Sequence, residues 1–236
     1  MWSGPRNIST ALMRAWENRA DCVVWDEPLY GYYLDKTGIP HPGASEVIDA
    51  QGTDAQAIIA RCIGEIPDGK SIFYQKHMTL HLLPELERDW LESLSNCFLI
   101  REPEAVIASY GAVRSDLTLD DIGFVQQANL FDQVRHMSGE IPLVIDSREF
   151  LLDPETMLRA ICARLGIEFV SQMLSWPAGR RDSDGVWGKH WYDSVWKSTG
   201  FAPWQEKEYR LGATDQTIAE QARPYYEKLY RYRLQP

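Results

Sequence analysis

The chain has 236 residues, of which 44% are hydrophobic and 25% are charged, a composition that suits a globular domain with a sizeable core. Its formal net charge of −10 opposes broad, sequence-independent binding of nucleic acid, so any anion site must be local. No apolar run approaches the roughly 18 residues of a membrane span, and the N-terminus lacks the pattern of a signal peptide.

The first turn of the chain places a cation and two hydroxyls immediately before a helical pattern. Arg6 could hold an anion with its forked guanidinium, and the Ser9 and Thr10 hydroxyls could donate to the same anion. Unpaired N–H groups at a helix N-terminus also favour negative charge. The stretch predicts a phosphate or sulfate site, with an ordinary helix start as the open alternative. It lacks the second glycine and the lysine of a Walker A loop, which disfavours ATP or GTP.

Beyond this turn, short apolar runs alternate with helical patterns. The predicted strands are residues 22–25, 71–76, 97–100 and 142–145. The predicted helices are a first one ending near residue 18, then 54–63, 84–94, one from about 103, 120–137 and 154–165, while 35–55 is predicted to be a surface loop. This alternation predicts an α/β fold, with a parallel sheet flanked by helices on both faces, in a single domain over residues 1–236.

Polar side chains stand at the ends of the predicted strands. In open parallel sheets, ligands bind outside the carboxyl ends of the strands. Glu27, Lys76, His77 and Arg101 each end or follow a strand. We therefore expect these four side chains to converge on the side where the Arg6 loop opens.

The four cysteines have no paired spacing that would suggest zinc ligands or a disulfide framework. Each lies among apolar neighbours or on a helical pattern, which predicts reduced thiols in the core. We therefore expect a cytoplasmic protein. The cysteines are Cys22, Cys62, Cys97 and Cys162.

Two motifs resemble those of sulfotransferases that use 3′-phosphoadenosine 5′-phosphosulfate. The run Pro-Arg-Asn-Ile-Ser-Thr at residues 5–10 is similar to the family's 5′-phosphosulfate loop, Pro-Lys-Ser-Gly-Thr-Thr. Residues 101–109 are similar to its 3′-phosphate motif, in which an Arg ends a strand and a Ser follows eight residues later on the next helix. The resemblance implies a P-loop-like sulfotransferase fold and a set of donor-binding residues: Gly4, Pro5, Arg6, Asn7, Ile8, Ser9, Thr10, Arg101 and Ser109.

A third segment is distantly similar to the family's Arg-Lys-Gly closing loop, and the resemblance implies donor contacts for Arg180, Arg181 and Lys189. The first loop departs from the family pattern, since Arg6 replaces Lys and Ile8 replaces Gly. It also begins at residue 2, which leaves little room for the strand before it. We expect that strand to be missing or truncated, and an apolar in-frame segment encoded upstream would support a truncated start.

Sulfuryl transfer needs in-line placement, stabilised charge on the leaving phosphate and a base for the acceptor's proton, but no metal. The resemblance implies that Arg6 holds the leaving 5′-phosphate. Glu27 is the preferred base, because part of the family has a catalytic Glu after the second strand. His77 is the alternative, with His81 as a competing match, and Lys76 is expected to contact the transferring sulfuryl group.

The resemblance implies an enzyme that transfers a sulfuryl group to a hydroxyl or amine. The acceptor is predicted to be a small molecule or carbohydrate bound near the aromatic side chains that follow Glu27 and residue 187. A P-loop nucleotide kinase or hydrolase and a non-catalytic nucleotide-binding protein stay open as alternatives. The sequence does not indicate an oligomeric state.

Overall fold

The computed structural model describes residues 1–111 and 116–236. Within these ranges the chain forms five strands and eleven α-helices, with 3₁₀ turns between them. The strands are β1 Trp2–Ser3, β2 Cys22–Asp26, β3 Ile72–Met78, β4 Cys97–Ile100 and β5 Leu143–Asp146. The helices are α1 Ser9–Glu17, α2 Tyr30–Thr37, α3 Ala44–Gln51, α4 Ala55–Ile63, α5 Pro103–Gly111, α6 Phe124–Ser138, α7 Ser147–Leu152, α8 Pro154–Arg164, α9 Gly188–Trp191, α10 Asp193–Trp196 and α11 Ala213–Tyr230.

The chain divides into two compact units. Unit 1 contains Met1, Thr10–Leu94 and Val170–Phe201, and it pairs β2 with β3 in parallel. The register of this pair places Asp26 opposite Lys76. Helix α4 begins because the Asp54 carboxylate accepts hydrogen bonds from two backbone N–H groups of its first turn. A core cluster of buried aromatic and aliphatic residues joins α2 and α3 to the segment around α9: Tyr30, Leu34, Val47, Trp187 and Tyr192.

Unit 2 contains Trp2–Ser9, Ser95–Phe169 and Ala202–Pro236. Its central strand is β4, which pairs in parallel with β1 on one side and with β5 on the other. All four residues of β4 are buried, as expected of an apolar strand covered on both faces. Helix α11 packs against α5 and α6. This arrangement brings the turn after β1 next to the residues that follow β4.

Parallel strands with intervening helices confirm the predicted α/β class. The first strand, expected to be missing or truncated, is present as the two residues of β1. The predicted helix at 84–94 is wrong, because only a 3₁₀ turn forms over Asp89–Ser93. The side chains of Leu82, Leu86 and Trp90 are all buried, so local turns that direct them into the core override helix propensity.

The segment predicted as a surface loop at 35–55 contains α3, so that prediction is also wrong. Its one fully buried side chain is Val47, which stands beside Ile48, and so short an apolar run shows no helical periodicity. The four cysteines are free and buried, as predicted. None of the helices in the described part of the chain is long and apolar enough to cross a membrane. The assignment of residues 1–236 to a single domain stays a prediction.

Candidate functional site

In unit 2, the turn after β1 meets the residue that follows β4 and the last turn of α5. Arg6 donates a hydrogen bond from Nε to Ser109 Oγ over 3.0 Å, although the two residues are 103 positions apart in sequence. Arg101, which directly follows β4, donates from Nη1 to the main-chain carbonyl of Arg6 over 2.6 Å. The two motifs that the sequence separates are therefore neighbours in space.

The backbone of the turn is tightly constrained. A Cβ added at Gly4 would lie 2.8 Å from the carbonyl oxygen of Ile122, so only glycine fits there. Asn7 donates from Nδ2 to the Gly4 carbonyl over 3.2 Å, which closes the turn. Arg6 has a φ of 60°, a left-handed conformation that is uncommon outside glycine and that recurs at functional sites.

The remaining residues of the predicted loop flank this turn. Pro5 and Ile8 are half-buried, and Ile8 is not among the described residues with positive φ. Ser9 and Thr10 are buried at the start of α1, with Ser9 assigned to unit 2 and Thr10 to unit 1. The replacement of the family's glycine by Ile8 is therefore compatible with the backbone that the loop adopts.

The two guanidinium groups give this part of unit 2 a concentrated positive charge. Burial lowers the pKa of Arg6, and the positive charge of Arg101 lowers it further. Within residues 1–111 and 116–236, neither arginine forms an ion pair with a carboxylate. Two adjacent cations without a protein counter-charge are suited to a multiply charged anion such as a phosphate.

In unit 1, Glu27 directly follows β2, and its backbone N–H donates to the carbonyl of Lys76 over 2.8 Å. The Lys76 ammonium lies 2.5 Å from Glu27 Oε1 and 2.8 Å from Asp26 Oδ1. Glu27 has a φ of 43°, and the Gln51 side chain donates to its carbonyl over 3.0 Å. Adjacent strand ends thus bring two carboxylates and one ammonium into one buried cluster.

A tyrosine and a tryptophan complete this cluster, which we call the Lys76 cluster: Asp26, Glu27, Lys76, Trp187 and Tyr192. The Tyr192 hydroxyl donates to Asp26 Oδ2 over 2.6 Å and accepts from Lys76 Nζ over 2.9 Å. Trp187 Nε1 donates to the same hydroxyl over 3.1 Å. Glu27, Asp26 and Tyr192 together occupy all three donors of the ammonium group.

Burial sets the protonation of these groups. It raises the pKa of Glu27, the nearby charge of Lys76 opposes that rise, and the negative charge of Asp26 adds to it. Burial alone would lower the pKa of Lys76, but Asp26 and Glu27 outweigh it and hold that pKa well above its usual value. The cluster therefore keeps its cation, and the Glu27 carboxyl holds its proton to a higher pH than an ordinary surface glutamate does.

His77 occupies the other face of β3 from Lys76, because successive side chains of a strand alternate. Its Nε2 atom lies 3.1 Å from Gln75 Oε1, and burial holds the pKa of the ring well below its usual value. His81 lies nearer to the predicted base, with Nδ1 3.8 Å from Glu27 Oε2. The structure thus groups Glu27 with Lys76 and places His77 on the opposite side of the strand.

Three basic side chains that the resemblance assigns to the donor all lie in unit 1. The Arg180 guanidinium stacks 4.3 Å above the ring of Trp196. Arg181 Nη1 lies 3.4 Å from Glu17 Oε2, and Lys189 Nζ lies 2.5 Å from a carboxylate on α3. Each of the three therefore has a protein partner, and their contacts with the donor stay predictions.

Sequence reasoning missed two polar residues of these clusters. Ser147 donates to the carbonyl of Ile100 over 2.7 Å and to Asn7 Oδ1 over 3.4 Å, and so links the end of β4 to the loop. The Asp-Ser pair that follows the β5 pattern is the signal that could have identified it. Tyr192 lies among aromatic residues, and no local pattern distinguishes its hydroxyl from those of neighbouring tyrosines.

Residues 1–231 match the family model of the sulfotransferase domain. Two curated proteins of Arabidopsis thaliana, branched-chain-amino-acid aminotransferase-like proteins 2 and 1, are 31% and 33% identical to this chain over 228 residues. The alignment covers 97% of this chain and 40% of each relative, so the chain spans about two fifths of their length.

Two solved structures have the same fold. The sulfotransferase domain from the curacin biosynthetic pathway has a TM-score of 0.52 at 14% identity, covering 93% of this chain and 95% of that domain. The sulfotransferase domain from the Synechococcus PCC 7002 olefin synthase has a TM-score of 0.54 at 18% identity, with coverages of 93% and 92%. At these identities the likeness concerns the fold alone.

Proposed function

Because the chain belongs to the sulfotransferase domain family, we propose that it transfers a sulfuryl group from 3′-phosphoadenosine 5′-phosphosulfate to a hydroxyl or amine of a small-molecule or carbohydrate acceptor. The observation that carries the proposal is the contact of the Arg6 loop with both Arg101 and Ser109 in unit 2. The donor is anionic at both its 3′ and 5′ positions, and this cluster offers two cations with nearby hydroxyl and amide donors.

The hydrogen-bond donors of this cluster fit such an anion in number and kind. Among the described residues, Arg6 donates hydrogen bonds to protein partners only through Nε, and Arg101 does so only through Nη1. The other guanidinium N–H groups are therefore left for ligand oxygens. We assign Arg6, the backbone of Asn7 and Ile8, and the Ser9 and Thr10 hydroxyls to the 5′-phosphate.

Arg101 and Ser109 are assigned to the 3′-phosphate. When bound, the donor supplies an activated sulfuryl group and a phosphate that serves as leaving group. The permanent positive charge of Arg6 would stabilise the negative charge that develops on that phosphate. Arg101 fixes the carbonyl of Arg6, and through it the position of the Arg6 side chain. No metal is needed for this charge stabilisation.

Glu27 is the base in this proposal, and it accepts the proton of the acceptor's hydroxyl or amine. Lys76 holds the carboxylate through Oε1, which leaves Oε2 for the acceptor. Because all three donors of Lys76 are occupied, we assign it to positioning Glu27 rather than to contacting the sulfuryl group. His77 is disfavoured, since it lies on the opposite face of β3 and burial keeps its pKa low.

A base must be ionised to act, so the direction of the Glu27 pKa shift has a kinetic consequence. Burial raises that pKa above its usual value. The rate should therefore increase as the pH rises through the raised pKa, and it should be lost as the pH falls below it. A base with a pKa closer to neutrality also accepts a proton more readily than an ordinary surface glutamate.

Calorimetric titration with adenosine 3′,5′-bisphosphate tests the nucleotide site. The parent protein should bind it, and Arg101→Ala should weaken binding by roughly 10- to 150-fold, the range for losing a hydrogen bond to a charged group. Arg159→Ala, which removes a surface arginine paired with Glu155 in the same unit, should bind like the parent. Tight binding of ATP with none of the bisphosphate would favour the kinase alternative and reject the proposal.

Transfer from labelled donor to a panel of hydroxyl and amine acceptors tests the enzyme. Glu27→Gln keeps the shape of the side chain but cannot accept the proton, so the rate should fall by at least about 100-fold. His77→Gln should transfer within a few-fold of the parent rate. If the parent binds the bisphosphate but transfers to no acceptor, the result favours the non-catalytic nucleotide-binding alternative. Equal transfer rates for the parent and Glu27→Gln would refute the assignment of Glu27 as the base.

A further inference from the structure

The Tyr192 hydroxyl lies at the centre of the hydrogen bonds in the Lys76 cluster. It donates to Asp26 Oδ2 over 2.6 Å, and it accepts from Lys76 Nζ over 2.9 Å and from Trp187 Nε1 over 3.1 Å. Tyr192 is only 4% exposed. One proton donated and two accepted use the full capacity of a phenol, so the group is held in one orientation.

The local backbone is built to bring this hydroxyl to the cluster. Tyr192 lies between α9 and α10, and its N–H donates to the carbonyl of Gly188 over 2.8 Å. A Cβ at Gly188 would come within 3.2 Å of the Tyr192 ring and within 3.1 Å of the Trp196 ring. The close packing of both rings against a glycine therefore fixes the phenol at its base as well as at its hydroxyl.

The cluster has an unequal number of charges, which makes the position of the ammonium important. Two buried carboxyl groups, from Asp26 and Glu27, share the single cation of Lys76. The hydrogen bond from Tyr192 satisfies Asp26 Oδ2, whose other donor is the Gly185 N–H at 3.4 Å. With Asp26 satisfied in this way, the ammonium is free to lie 2.5 Å from Glu27.

We infer that Tyr192 is a positioning residue for Glu27: its hydroxyl satisfies Asp26 and holds Lys76, so that the shared ammonium stays against the Glu27 carboxylate. The inference rests on the proposed function, because it gives Tyr192 a role in setting the base. It also assigns a purpose to the 185–192 segment, which carries both Tyr192 and the tryptophan that orients its hydroxyl.

Removing the hydroxyl should redistribute the ammonium between the two carboxylates. Asp26 would lose its strongest neutral donor and attract Lys76 more strongly, which withdraws the cation from Glu27. The charged and titratable groups that face Glu27 are Asp26 on β2, Lys76 on β3, His81 on the 3₁₀ turn after β3, and Tyr192. His81 does not compensate, since burial keeps it neutral. Glu27 should therefore hold its proton to a higher pH.

The test is the titration of the Glu27 carboxyl by NMR in protein labelled with ¹³C-glutamate, with the signal assigned by its absence in Glu27→Gln. In Tyr192→Phe the midpoint should move upward by about one pH unit. The acidic limb of kcat should move by the same amount. Tyr226→Phe is the matched control, because it removes a buried phenol hydroxyl that donates to Asp146 Oδ2 over 3.1 Å in unit 2. It should leave the Glu27 midpoint unchanged.

Asp26→Asn provides a second test, which does not depend on Tyr192→Phe folding well. With the charge of Asp26 removed, the Lys76 ammonium pairs with Glu27 alone. The titration midpoint of Glu27 should therefore fall below that of the parent. Adding Tyr192→Phe to Asp26→Asn should then move it by much less than in the parent background. An unshifted midpoint in Tyr192→Phe, or equal shifts in both backgrounds, overturns the inference. A shifted midpoint in a protein that transfers no sulfuryl group would instead refute the proposed function.

Discussion

Arg101 holds the main-chain carbonyl of Arg6 over 2.6 Å, at the residue whose φ of 60° turns the loop into a left-handed conformation. This conformation costs an L-residue about 1 to 2 kcal/mol. The hydrogen bond from Arg101 and the one that Arg6 itself makes to Ser109 both depend on this turn. The loop, the residue that follows β4 and α5 are therefore joined in one hydrogen-bonded unit.

The conformation of Arg6 leads to the first prediction. Arg6→Gly and Arg6→Ala both delete the guanidinium, so both should lose most of the affinity for adenosine 3′,5′-bisphosphate. They should differ in stability, because glycine adopts positive φ without steric cost. We expect Arg6→Gly to be more stable than Arg6→Ala by about 1 kcal/mol in urea unfolding. Equal stabilities would show that the backbone at residue 6 relaxes once the side chain is removed.

The contact between Arg6 and Ser109 leads to the second prediction. Ser109→Ala removes the acceptor of the Arg6 Nε–H group and one of the hydroxyls assigned to the 3′-phosphate. The dissociation constant of the bisphosphate, measured by calorimetry, should rise by roughly 10-fold, as for one lost hydrogen bond to a charged group. Ser138→Ala serves as control, since Ser138 bonds to a helix carbonyl in the same unit. A similar loss in both variants would contradict a specific role for Ser109.

Removing the only ammonium of the Lys76 cluster should destabilise the protein in a pH-dependent way. Lys76→Met leaves the two buried carboxyl groups without a cation, which should cost about 3 to 5 kcal/mol at pH 8. The folded variant would then favour protonation of one carboxyl group, with a pKa above the unfolded value. Because the folded state binds more protons, its stability falls as the pH rises. Urea unfolding should therefore show a smaller loss at pH 5 than at pH 8.

The same experiment on Lys70→Met provides the comparison. The Lys70 ammonium bonds to an exposed backbone carbonyl over 2.7 Å, so its removal should change stability little at either pH. A loss in Lys76→Met that is equally large at pH 5 and pH 8 would indicate a packing defect rather than uncompensated charge.

Two buried histidines should make the fold sensitive to acid. Burial holds the pKa values of His77 and His81 well below 6.5, whereas the unfolded chain binds protons near that pH. Stability is therefore lost as the pH falls below about 6.5, at up to about 1.4 kcal/mol per pH unit for each ring. The raised pKa of Glu27 acts in the opposite direction and offsets part of this slope.

Replacing one of these histidines isolates its contribution to the pH dependence of stability. Urea unfolding of His77→Gln between pH 5 and 6.5 should show a slope that is smaller by about one proton than that of the parent. His136→Gln, which changes an exposed histidine, should keep the parent slope. If the slope is unchanged in His77→Gln, the ring becomes protonated without unfolding.

Several features of the fold were predictable because they depend on local sequence. The buried run at β4 and the helix predicted at 54–63, which forms as α4, are both set by neighbouring residues. The two motifs that resemble phosphate-binding segments were recognisable because each is contiguous. Their meeting through Arg101 and Arg6 follows from the order of parallel strands, which places the ends of β1 and β4 side by side.

Other features depend on residues that are distant in sequence. The turns that replace the predicted 84–94 helix follow the burial of Leu86 and Trp90 rather than helix propensity. Tyr192 reaches Lys76 across 116 positions, and no spacing rule relates the two. The positive φ in this loop is at Arg6 and not at Ile8, the residue that departs from the family pattern.

The Lys76 cluster has one more carboxylate than ammonium, and this charge imbalance bears on the proposed proton transfer to Glu27. Before reaction the site holds one negative charge more than it can neutralise, in surroundings that resist charge. In the proposed reaction Glu27 takes up the acceptor's proton, which leaves one carboxylate facing one ammonium and makes this cluster electroneutral. The burial that makes ionisation of this base costly would thus become a driving force for its catalytic step.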